Sequence, residues 1–132
     1  MINIDYIMDL LDWNNSAEEQ EKGIRLARDV KCINVFLQPR SNRYHRYNKN
    51  VWDNCAKILS DRSDEELEPY LTALFEWIED LNWPGAICIL ERLNNFGENK
   101  FFNFCLSSCI KRATLMEEEV WLDNLLNVKK NI

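Results

Sequence analysis

At 132 residues, with 46% apolar and 29% charged side chains, the chain has the size and composition of one globular domain spanning residues 1–132, long enough to close a hydrophobic core. A formal charge of −6 argues against a general nucleic-acid binder, which needs a basic surface to neutralise phosphate, and suits a basic partner instead. Three glycines and three prolines leave little material for β-turns, so helices joined by short polar connections are expected.

Residues 4–11 predict the first helix, with Ile4, Ile7, Met8 and Leu11 at helical spacing and Trp13 closing the same face. Asn14, Asn15 and Ser16 break it, and Ser16 with Glu19 forms a capping box that opens a second helix to about residue 30. The apolar run 32–37 reads as a short strand or a buried helical turn. The helical reading is preferred, because the chain offers no second strand to pair with it. Pro39 ends the run, and residues 40–50 form the longest polar loop and the one local basic patch.

Asn50 is placed to cap a third helix over 51–60, which buries Trp52, Cys55, Ile58 and Leu59. A second capping box, Ser63 with Glu66, starts a fourth helix to about residue 81, with Leu67, Tyr70, Leu71, Leu74, Ile78 and Leu81 as its apolar stripe. Pro69 is compatible with it only in a first turn. Trp83 is expected to be non-helical because Pro84 follows it, and Pro84 to open a fifth helix that lies antiparallel to the fourth and ends at Gly97, a left-handed cap. A sixth helix is predicted over 99–112, with Phe101, Phe102, Cys105, Leu106, Cys109 and Ile110 on its apolar side. The last runs over 115–128, with Glu117, Glu118 and Glu119 near its start, as the helix dipole favours, and Val120, Trp121, Leu125 and Val128 facing the core. The expected fold is all-α: six to seven helices in antiparallel pairs, with the loose pair rhythm of α-solenoids.

Five cysteines, Cys32, Cys55, Cys88, Cys105 and Cys109, cannot all pair within one chain and sit among apolar neighbours. A reducing cytoplasm explains them better than a disulfide framework. Cys105 and Cys109 are one turn apart without a histidine nearby, so neither a metal site nor a cofactor is expected. No apolar stretch approaches the roughly 20 residues that cross a bilayer, and no basic start with an apolar run opens the chain, so no membrane association is expected.

The segments Ser63-Asp64-Glu65-Glu66-Leu67, Pro69-Tyr70-Leu71, Asn82-Trp83-Pro84-Gly85-Ala86 and Leu90-Glu91-Arg92-Leu93, with Trp77 and Asp80 between them, resemble a bacterial family, domain of unknown function 5071. The resemblance covers residues 60–97. Upstream, Leu11-Asp12-Trp13 and Val51-Trp52-Asp53-Asn54-Cys55-Ala56 look like a longer subgroup of it. The resemblance implies a HEAT-like α-superhelix and supplies no catalytic residues. Some small bacterial proteins of similar architecture act as immunity proteins against toxins of neighbouring cells, an analogy of fold and context, and fold alone does not fix function.

The chemistry is sparse. His45, the sole histidine, has no partner in sequence, and there is no phosphate loop, H-E-x-x-H or G-x-S-x-G. Glu76 with Glu79 or Asp80 has the spacing of an acid/base pair, but such pairs on a polar helix face are ordinarily solvated charge. Among the tryptophans, core packing is the plain explanation, with Trp77, off the stripe of Leu74 and Ile78, and Trp83, at a turn, as the exceptions expected at an interface. Two surfaces compete. The acidic face of Asp61, Asp64, Glu65, Glu66, Glu68, Glu76, Glu79 and Asp80 suits a basic protein such as a toxin domain, with Trp77 and Trp83 beside it. The loop with Arg40, Arg43, Tyr44, His45, Arg46, Tyr47 and Lys49 suits nucleic acid. The leading expectation is a non-enzymatic protein-binding module of immunity type. The alternative is a nucleic-acid-associated helical repeat.

Overall fold

The computed structural model describes residues 2–39 and 47–129, and these form helices and turns without a strand. Helix α1, Ile4–Leu10, starts at Asn3, whose side chain accepts the Tyr6 N–H, and buries Ile7, Met8, Leu10 and Leu11. Helix α2, Ala17–Ala27, has the expected reciprocal box between Ser16 and Glu19. It stops short of residue 30 because Arg62 reaches its end, donating to the carbonyls of Ala27 and Val30 at 2.9 Å and of Arg28 at 3.4 Å. A cation on the last carbonyls satisfies groups that a further turn would otherwise have bonded. Trp13 does not close the α1 face. Its backbone N–H is tied to the Asn50 carbonyl at 3.0 Å and the side chain is exposed.

The ambiguous run forms a 3-10 turn, Ile33–Phe36, packed on α3, Trp52–Ser60. The cap expected from Asn50 falls to Asn48, whose side chain accepts the Asn50 N–H at 2.8 Å and starts a 3-10 turn, Lys49–Val51, ahead of α3. Asn54, buried on α3, donates to the Leu11 carbonyl at 2.7 Å and to Gln20 at 2.9 Å, which fastens the α1–α2 connection to the middle of the molecule.

The single helix expected over 63–81 is three pieces. The Ser63–Glu66 box caps α4, Asp64–Leu67. A 3-10 turn, Glu68–Tyr70, carries Pro69, and α5 follows, Leu71–Trp77. Pro69 lies beyond the first turn after Ser63, where its ring would strike the carbonyl four residues back and its missing N–H would break the ladder. The stripe survives the break: Leu67, Leu71, Leu74 and Ile78 are all buried.

Pro84 is outside the next helix, not in its first turn. Helix α6, Ala86–Asn94, has Gly85 as its cap. Gly97 is not in the left-handed region. Its N–H donates to the Asp64 carboxylate at 3.0 Å instead. Helix α7, Lys100–Leu115, is capped by Asn99, which accepts the Phe101 and Phe102 N–H groups. It buries Phe102, Cys105, Cys109 and Ala113, while Phe101 is exposed and Leu106 and Ile110 are half-buried. Helix α8, Glu119–Leu126, begins later than expected, after a turn closed by the Glu118 N–H on the Ala113 carbonyl at 2.9 Å. Trp121, Leu125 and Val128 are buried as expected, but Val120 is exposed.

Pairs α1–α2, α3–α6, α5–α6, α5–α7 and α7–α8 pack together around one continuous core, in which Trp52, Phe75, Trp77 and Phe102 meet the aliphatic stripes. No helix of the described residues is long and apolar enough to cross a membrane.

Candidate functional site

The turn between α5 and α6 is built from its hydrogen bonds. Asp80 accepts the Asn82 N–H on its carboxylate at 2.8 Å, its carbonyl accepts the Trp83 N–H at 3.1 Å, and the Trp83 carbonyl accepts the Ala86 N–H at 3.1 Å. Gly85 has φ 81° and ψ −13°, the angles of the third residue of a type II turn in which proline is favoured second. A Cβ at Gly85 would lie 2.8 Å from the Ala56 Cβ and the Trp52 carbonyl and 3.0 Å from the Trp77 ring. The backbone therefore touches α3 directly.

Trp77 is not at a surface: it is fully buried, and its indole N–H donates to the Pro84 carbonyl at 3.0 Å. It fell off the stripe because α5 ends there and the chain folds back over the ring. Trp83 is half-buried and stands edge-on to Trp52 at 6.1 Å, which in turn is edge-on to Trp77 at 6.4 Å. One part of the Trp83 ring supports the core and the rest borders solvent.

That free part lines a hollow of about 380 Å³ between the turn and the start of α8. Its carboxylates are Glu79 and Asp80 from the turn, Glu118 just ahead of α8 and Glu119 at its start; Trp83, Val120 and Trp121 supply its apolar lining. Asp80, Glu118 and Glu119 have no ion-pair partner among the described residues. Sequence reasoning named Glu79, Asp80 and Trp83 but read Glu118 and Glu119 only as dipole partners of their helix. No local spacing signals that α8 starts opposite the turn.

Four of the remaining acids, Glu76, Asp64, Glu66 and Glu68, are used within the fold. Glu76 binds Arg112 at 2.6 Å, and Arg112 also lies 4.7 Å from the Trp121 ring centre. Asp64 binds Arg92 at 2.6 Å, Glu66 binds Arg62 at 3.0 Å, and Glu68 accepts from Asn99 at 3.1 Å. Asp61 lines a different hollow, with Arg28 and Arg62. Glu65 is exposed. The eight-residue acidic face is thus not one surface.

Burial works to raise the Asp64 carboxyl, but hydrogen bonds from the Gly97 N–H and Arg92, with the charges of Arg92 and Lys129, hold it below its usual range. The Arg62 hydrogen bond, then the Ser63 N–H, lowers Glu66 in the same way. A carboxyl depressed in the folded state stabilises it above the unfolded pKa, and that contribution is lost as the pH falls through the folded pKa. Stability should therefore decline below about pH 4.5, and Asp64→Asn with Glu66→Gln should flatten that slope in urea titrations repeated from neutral to acid pH. An unchanged slope would remove the two carboxylates from the account.

Burial raises the Cys55 thiol far above its usual range and, against the opposing charge of Arg112, pushes Cys109 up to about 11. These are protonated core groups. Cys32, expected among apolar neighbours, is exposed. Among the described residues no group of three or more His, Cys, Asp or Glu side chains is placed to hold a metal ion.

Of the basic loop, Arg40, Arg43, Tyr44, His45 and Arg46 lie outside the described residues. Its last members serve the fold: the Tyr47 hydroxyl donates to Asp5 at 2.5 Å, and the Lys49 ammonium lies 5.7 Å from the Trp52 ring centre.

Residues 48–128 match a family model described as a domain of unknown function, DUF5071. The matched stretch includes α3, the turn and the hollow, and leaves Leu11-Asp12-Trp13 outside it. Comparison with curated proteins and with solved structures gives no match.

Proposed function

The chain belongs to the DUF5071 family, and from that premise we propose that it is a non-enzymatic, cytoplasmic protein-binding module, acting as an immunity-type inhibitor that occludes a basic bacterial toxin. The observation that carries this reading is the hollow where Asp80, Glu118 and Glu119 surround the accessible part of Trp83. Uncompensated carboxylates beside an aromatic ring suit lysine and arginine side chains, whose stems lie on the ring while their heads meet the acids. Such a surface also speeds encounter with a cationic partner and repels nucleic acid. The helix pairs α1–α2, α3–α6 and α7–α8 support a reading of the fold as a short HEAT-like stack, an architecture that presents surfaces rather than enclosing a reaction.

The test is co-expression with the products of neighbouring genes, comparing the parent with an Asp80→Lys, Glu118→Lys, Glu119→Lys variant. The parent should retain a basic protein and protect cells from it, and the variant should lose both by at least about tenfold, as interfacial charge reversal does. Equal protection by the two chains, or recovery of RNA alone in a salt-sensitive complex, would overturn the reading.

A further inference from the structure

The hollow does not end at its acidic rim. Val120, which lines it, is 68% exposed, and the end of α7 and the turn after it carry Leu115 at 84% and Met116 at 59%. Single exposed apolar side chains are ordinary, but these three fall within the six positions 115–120, and Val120 among them lines the hollow. The turn that presents them is held in shape. The Met116 N–H donates to the Arg112 carbonyl at 3.0 Å, Glu117 to Thr114 at 3.2 Å and Glu118 to Ala113 at 2.9 Å, and Glu117 takes φ +56°, a conformation uncommon for a non-glycine residue.

Resting on the reading of the hollow as the seat of a basic partner, we infer that ridge and hollow form one groove for a cationic amphipathic helix of that partner. Its apolar side chains lie on Leu115, Met116 and Val120, and its lysines or arginines enter beside Asp80, Glu118 and Glu119. A helix carries apolar and cationic residues side by side at three- and four-residue spacing, and the ridge and the hollow are neighbours that share Val120. Charge decides among occupants. A second copy packed with the two-fold axis through the hollow would bring the same carboxylates against each other. An anionic lipid surface and a phosphate backbone are repelled in the same way.

The experiment uses the full chain and three labelled synthetic peptides of about 18 residues, roughly five helical turns. One has leucines and lysines on adjoining helix faces, one is oligolysine, and one has leucines with glutamates; binding is read by fluorescence anisotropy. The leucine–lysine helix should bind at least tenfold tighter than oligolysine, and the leucine–glutamate helix should not bind. Leu115→Ser with Met116→Ser, neither of which lines the hollow, should abolish that preference and leave oligolysine binding as it is. Asp80→Asn with Glu118→Gln and Glu119→Gln should weaken both lysine peptides. Leu115, Met116 and Glu119 are exposed and Asp80 and Glu118 half-buried, and circular dichroism checks that the variants keep their helices. If oligolysine binds as well as the helix and the ridge variant matches the parent, the groove is overturned while the basic-partner reading stands. If the neutralised hollow binds both peptides like the parent, the basic-partner reading itself fails. Failure of the leucine–lysine helix to bind, or a concentration-dependent dimer that the ridge variant abolishes, also overturns the groove.

Discussion

Gly85→Ala should lower the unfolding free energy by roughly 2 to 5 kcal/mol, with a fall of about 8 to 20 °C in Tm. Two independent costs meet at this position. An L-residue held at φ 81° is in the left-handed region, at about 1 to 2 kcal/mol. The added methyl would also stand 2.8 Å from both the Ala56 Cβ and the Trp52 carbonyl, and overpacking of that kind costs about 1 to 3 kcal/mol. Neither neighbour is a flexible side-chain tip, so relief requires α3 and the turn to move apart. Gly97→Ala is the control, because its φ is not positive and its methyl would meet only the Asp64 carboxylate at 3.2 Å. It should cost well under half as much in urea denaturation. Equal losses at the two glycines would show that the turn is not held as described.

The same turn shows what the sequence made legible. Pro84 marked a connection at the right place, since it disfavours helix in the residue before it. Its role was misassigned, because proline is equally at home in the first turn of a helix and in the second position of a turn. At Gly85 the close approach to α3 adds a second demand for glycine beside the positive φ, and that contact is with residues more than twenty positions away. The capping boxes at Ser16 and Ser63 were readable because both partners lie within four residues. The end of α2 was not, because Arg62 terminates it from a distant part of the chain.

The candidate site divides along the same line. The half contributed by Glu79, Asp80 and Trp83 came from one short segment, where charge and an aromatic at a turn are visible together. The half contributed by Glu118, Glu119 and Val120 depends on where α8 begins, and a helix start without a side-chain cap leaves no mark in the sequence. Conversely, Glu66 and Glu76 looked like members of an acidic surface and are held by Arg62 and Arg112, pairings that helical spacing alone foretells only for the first.

Trp121→Ala should have the other large effect, costing about 3 to 5 kcal/mol. The ring is only 2% exposed, its indole N–H donates to the Phe75 carbonyl at 2.9 Å, and Arg112 lies on its face. One side chain therefore joins α8 to α5, satisfies a carbonyl near the end of α5 and seats the cation that holds Glu76. Truncation removes all of these and leaves a cavity that the short α8 cannot fill. Trp121→Phe separates the contributions, since it keeps most of the packing and loses the donor, and should cost about 1 to 3 kcal/mol. Urea denaturation gives both values, and amide hydrogen exchange should show protection falling first in 119–126. Because α8 positions Glu118, Glu119 and Val120 at the hollow, the alanine variant should also lose binding of the leucine–lysine peptide at temperatures where the rest of the chain is still folded. A variant with α8 loosened but peptide binding intact would separate α8 from the site, leaving the turn at Asp80 and Trp83 to account for recognition alone.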